Sequence, residues 1–89
     1  MAKVVASIKI FPSEPSIDIS KLQVKIEENL PKDASIIASK EEPIAFGLVA
    51  LIANVAMPEE ISGMMDQVEE ALKSTEGVSE IQVVNVTRA

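Results

Sequence analysis

The sequence has no cysteine and no histidine. The first absence excludes disulfides, a thiolate nucleophile and a thiolate metal site. The second removes the commonest general base and the commonest metal ligand. Aromatics amount to two phenylalanines, 2% of the chain, so a core drawn from the 47% hydrophobic content must use Val, Ile, Leu, Ala and Met. The three glycines, Gly47, Gly63 and Gly77, are too scattered to make a phosphate-cradling loop. Positive charge is scarce: 8 Lys and Arg against 14 Asp and Glu leave a net charge of −6, which disfavours binding to bare phosphate backbones. The apolar run at residues 44–53 falls well short of the about 20 residues a membrane helix needs. The opening residues, Met-Ala-Lys-Val-Val, lack the charged leader, apolar run and cleavage site of a signal peptide, so a cytoplasmic location is expected. A chain of 89 residues suits one core and is too short for two, which makes residues 1–89 a single expected domain.

The rest of the chain is organised around that apolar run. Read as a strand, it is apolar on both faces, with Phe46, Leu48, Ala50 and Ile52 on one and Ala45, Val49, Leu51 and Ala53 on the other. Gly47 and the β-branched Val49, Ile52 and Val55 argue against a buried helix. The pattern predicts a central strand between Pro43 and Pro58, entered through the connection Glu41-Glu42-Pro43. Upstream, residues 3–11 alternate as a strand, with Val4, Ala6, Ile8 and Ile10 on its apolar face. A break containing Pro12 and Pro15 leads to a helix over 18–30, with Ile19, Leu22, Ile26 and Leu30 at helical spacing, capped by Asp18 or Ser16 and stopped by Pro31. Residues 33–40 read as an edge strand. Downstream, a second helix is expected to open at Pro58, with Glu59 and Glu60 in its first turn and a stripe of Ile61, Met64, Met65, Val68 and Leu72. Gly77 supplies a left-handed residue after that helix, and residues 79–87 form the last strand, where Val83-Val84 breaks alternation and points to a bulge. This order predicts an α+β, ferredoxin-like βαββαβ fold: a four-stranded antiparallel sheet with two helices on one face. The first and third strands are central, and the open face carries Val5, Ser7 and Lys9.

Carboxylates are the only abundant reactive groups. The adjacent pairs Glu41-Glu42, Glu59-Glu60 and Glu69-Glu70 read as solvated faces and caps, because neighbours on a helix point in different directions. The aspartates lack the spacing of a calcium loop. Met64-Met65 reads as core rather than as an adaptable binding surface. RNA-recognition domains of this topology stack bases on sheet aromatics among basic residues, whereas this chain is acidic and has only Phe11 and Phe46. These two phenylalanines either fill the ends of the core or serve a binding module.

Ile8-Lys9-Ile10-Phe11-Pro12, the run Pro43-Ile44-Ala45-Phe46-Gly47-Leu48 and the ending Val84-Asn85-Val86-Thr87-Arg88-Ala89 together resemble the archaeal elongation factor 1-beta family. The likeness covers essentially the whole chain and extends to the C-terminal exchange domain of the eukaryotic factor. It implies exchange of GDP for GTP on elongation factor 1-alpha, regenerating the form that carries aminoacyl-tRNA. A domain of this family presses on the switch regions and the magnesium–phosphate region of the GTPase. It breaks no bond, is not an enzyme, and needs no cofactor or metal of its own. The family pattern assigns the GTPase contact to Lys9, Phe11, Pro12, Phe46, Gly47 and Arg88. In the eukaryotic relatives a lysine next to the C-terminal residue enters near the magnesium site. Arg88 keeps the cation but changes its shape, since a planar guanidinium favours bidentate contacts over a compact point charge; the alternative is a solvated tail charge. Ser13-Glu14-Pro15 replaces a tryptophan and an acidic cluster. The expected state is a monomer with one protein partner and no direct nucleic-acid or membrane contact. The competing reading is a small-metabolite-binding regulatory domain of the same fold.

Overall fold

The computed structural model describes residues 3–14, 16–45, 47–59 and 63–88. Strand β1, Lys3–Pro12, follows its sequence alternation: Ala6, Ile8 and Ile10 are fully buried and Val4 of the same face half-buried, while Val5, Ser7, Lys9 and Phe11 are half-buried on the other face. Helix α1, Ile19–Asn29, is capped by Asp18, whose carboxylate accepts the Ser20 N–H at 2.9 Å, so one otherwise unpaired first-turn donor is satisfied. It buries Ile19, Leu22 and Ile26 and gives way to extended backbone at Leu30, before Pro31. Strand β2 spans Ser35–Pro43 and β3 spans Val49–Pro58; helix α2 covers Met64–Ser74 and β4 covers Val78–Arg88.

The sheet order is β2-β3-β1-β4 with every neighbouring pair antiparallel, so β1 and β3 are central. Ala6, Ile8 and Ile10 of β1 and Leu51, Ala53, Val55 and Met57 of β3 form one cluster with Leu22 and Ile26 of α1 and Met64, Val68 and Leu72 of α2. Both helices therefore cover one face, as the element order predicts. Thr75, 3% exposed, joins the helix ends: its hydroxyl accepts from Asn29 Nδ2 at 2.9 Å and donates to the Ala71 carbonyl at 2.8 Å. A buried hydroxyl with both roles filled avoids the cost of an unpaired polar group.

Two expected boundaries are corrected. The apolar run 44–53 is not one strand. Its first half is a hairpin tip, in which Ile44 N–H donates to the Leu48 carbonyl at 2.9 Å and Leu48 N–H to the Ala45 carbonyl at 3.1 Å. Gly47 adopts φ +77°, a left-handed conformation that glycine takes without steric cost. Residues 41–43, read as a connection, belong to β2, and Pro43 pairs with Val49. A proline is tolerated there because β2 is an edge strand.

The second correction concerns Pro58, which closes β3 opposite Lys3 instead of opening α2. β2 reaches only as far as Ser35, opposite Ala56, so the missing N–H of Pro58 removes no β2 hydrogen bond. The helix starts at Met64 after Gly63, which is left-handed at φ +77°; Glu60, Ile61 and Ser62 lie outside the described residues. The expected bulge is present. Ser7 pairs with Asn85 and Ile8 with Val83, leaving Val84 as the extra residue.

Candidate functional site

Strand register divides the sequence-assigned contact residues between the two ends of the sheet. At one end, Lys9 and Phe11 share the open face of β1, and the Lys9 ammonium stands 5.6 Å from the Phe11 ring centroid, within cation–π range. Lys9 also pairs with Glu42 of β2. The two reach each other across β3 because Ala50, opposite Glu42, is small; Ala50 is itself fully buried. The hydrogen bond and charge of Lys9, with a smaller contribution from Lys40, hold the Glu42 carboxyl below the usual carboxylate range. Pro12 is buried opposite Val78, so it shapes the strand end instead of presenting a surface. Gly47 lies exposed at the hairpin tip beyond β2 and β3, while Phe46 lies outside the described residues.

Arg88 is at the opposite end. It pairs with Val4, seven residues along β1 from Phe11, which at the strand rise is roughly 24 Å. Its side chain is 78% exposed and forms an ion pair with Glu59, which follows β3. Sequence reasoning missed this partner, having placed Glu59 in the first turn of a helix. It missed Glu42 for a similar reason, having read it as part of a connection. The signal available for Glu42 was period-2 alternation continuing through Lys40 and Glu42 on the face opposite Glu41.

Between the two ends, the open face holds a shallow concavity of about 420 Å³ bordered by Ser7, Lys40, Ile52, Asn54 and Val84. Ser7 Oγ–H donates to Asn54 Oδ1 across it at 2.7 Å. Among the described residues, no group of three or more Asp or Glu side chains is placed to hold a metal ion, and no helix is long and apolar enough to cross a membrane.

The fold and this surface define an acidic α+β body whose sequence-assigned cations, Lys9 and Arg88, stand toward opposite ends of one sheet. Comparison with known proteins gives the family. Residues 5–89 match the EF-1 guanine nucleotide exchange domain. The chain is 44% identical to elongation factor 1-beta of Aeropyrum pernix, over 99% of this chain and 98% of that protein. Against elongation factor 1-beta of Sulfolobus acidocaldarius it is 42% identical, over 96% and 94%. The chain belongs to the EF-1 guanine nucleotide exchange domain family, and its role is guanine-nucleotide exchange in translation elongation. Among solved structures, the C-terminal domain of the MgtC protein from Mycobacterium tuberculosis superposes with a TM-score of 0.58 at 12% identity, covering 99% of this chain and 86% of that one. At that identity the likeness concerns the fold alone.

Proposed function

We propose that the chain, acting as a cytoplasmic monomer and a single domain, speeds GDP release from elongation factor 1-alpha by holding the GTPase with both ends of its sheet. The observation that carries this reading is the family match running through both ends, from β1 to Arg88. Lys9, Phe11 and the hairpin tip carrying Gly47 form one contact, to which the family pattern adds Phe46, and Pro12 fixes the backbone under it. Arg88 forms the other. A sheet about 24 Å long between them acts as a rigid spacer, so engaging both ends at once imposes one geometry on the GTPase.

The energetics are those of linkage. A partner that binds the nucleotide-free GTPase more tightly than the GDP form must weaken GDP by the same factor. Switch loops are held by magnesium and the phosphates, so an arginine competing near that region, or a strain on those loops, supplies the difference. The factor itself exchanges no protons and forms no bond, so it needs no nucleophile or general base.

The test is release of a fluorescent GDP analogue from elongation factor 1-alpha, followed with and without this protein in the presence of excess GTP. Acceleration at substoichiometric amounts is expected. A stable complex with unchanged release would overturn exchange in favour of scaffolding.

A further inference from the structure

Arg88 is the only arginine in the sequence, and its guanidinium meets the Glu59 carboxylate. Register brings the two residues to one end of the sheet independently of their side chains: Arg88 opposes Val4, and Pro58, just before Glu59, opposes Lys3. The pair is asymmetric. Glu59 is 28% exposed and forms part of a groove wall with Val4, Met57, Pro58 and Met64, whereas the Arg88 side chain is 78% exposed. The carboxylate is the more buried partner and the cation the more exposed one.

A guanidinium carries five N–H donors in a planar fork. The closest approach to Glu59 is through Nη2, and one carboxylate engages at most two of the five donors, so this pair alone does not exhaust the guanidinium. An exposed ion pair of this kind changes a population by about fivefold at most. That is too weak to keep Arg88 from a partner, and enough to favour one orientation of a long side chain. Ordering such a side chain is a recurring cost of association, and orienting it beforehand removes part of that cost.

We propose that Glu59 is a positioning residue for exchange: it holds the Arg88 guanidinium at the sheet end so that its free edge meets a carboxylate or phosphate on the GTPase complex. This rests on Arg88 being a GTPase contact, and the experiment separates the two claims.

Glu59→Gln, Arg88→Ala and the double variant are compared in fluorescent-GDP release from elongation factor 1-alpha, titrating each factor to obtain a half-saturating concentration and a maximal rate. Thermal midpoints are measured alongside. Glu59→Gln is expected to raise the half-saturating concentration about two- to fivefold without moving the midpoint, and Glu59→Asp to recover part of the loss. In the Arg88→Ala background the same change is expected to do nothing. An unchanged or faster exchange for Glu59→Gln overturns the positioning role, as does an equal loss in both backgrounds. If Arg88→Ala itself leaves exchange unaltered, the contact assigned to Arg88 falls first and the role of Glu59 falls with it.

Discussion

Gly77 joins backbone and packing constraints at one position. It adopts φ +99° between α2 and β4, and a Cβ built there would stand 3.2 Å from Leu22 Cδ1 and 3.5 Å from Ile17 Cδ1. Gly77→Ala therefore carries two penalties. The left-handed backbone costs a non-glycine residue about 1–2 kcal/mol. Overpacking against Leu22, which is 2% exposed in the core, adds about 1 kcal/mol, the low end for an inserted methyl. The smaller entropy of the unfolded alanine chain returns about 0.4–1 kcal/mol. The net loss is about 1–2.5 kcal/mol, which in a domain of this size lowers Tm by roughly 5–15 °C. Gly47→Ala is the control, since Gly47 has φ +77° and no described atom within 4 Å of the added Cβ. It should lose only the backbone part. Circular-dichroism melts and urea titrations of both variants measure the difference. Equal losses would refute the packing contribution of Leu22, and no loss at either site would refute the left-handed backbone itself.

Leu72→Ala, at a fully buried position of α2, should cost about 2–5 kcal/mol in a urea titration while leaving contact residues untouched. Glu42 gives a pH dependence: its folded pKa is depressed by Lys9, so its stabilisation is present above the ordinary glutamate value and is lost as pH falls through the folded value. The stability gap between the native chain and Glu42→Gln should therefore be open at pH 7 and narrow progressively as pH falls below the ordinary glutamate value in parallel urea melts. Arg88→Ala should leave Tm unchanged, because its partner is a single surface ion pair, while raising the half-saturating concentration in GDP release by about tenfold or more. Phe11→Ala should weaken binding of elongation factor 1-alpha by about tenfold or more if the ring is an interface anchor; unchanged affinity by titration calorimetry would leave Phe11 only its packing role.

The fold was legible because most elements announce themselves by period. Alternation in residues 3–11 buries Ala6, Ile8 and Ile10, with Val4 of the same face half-buried, and the spacing of Leu22 and Ile26, or of Met64, Val68 and Leu72, buries the residues it promises. Asp18 and the Val83-Val84 bulge were equally readable, each having a local cause. The hairpin at 44–48 was hidden because its residues are apolar, and composition cannot distinguish an apolar turn from a buried strand. Only Gly47, with its positive φ, marked the break. Pro58 misled because a proline fits the first turn of a helix and also the end of a strand that outruns its neighbour. The site was less legible than the fold. Lys9 and Arg88 were named, yet their carboxylate partners, Glu42 in β2 and Glu59 just after β3, are distant in sequence, and strand register brings them together.

The central claim is preferential binding to the empty GTPase, and calorimetric titration of this protein into elongation factor 1-alpha tests it most directly. Two titrations suffice, one into the GDP–magnesium form and one into the nucleotide-free form. Affinity for the empty form should be higher by the factor through which saturating exchange protein weakens GDP binding. Equal affinity for the two forms would contradict the account.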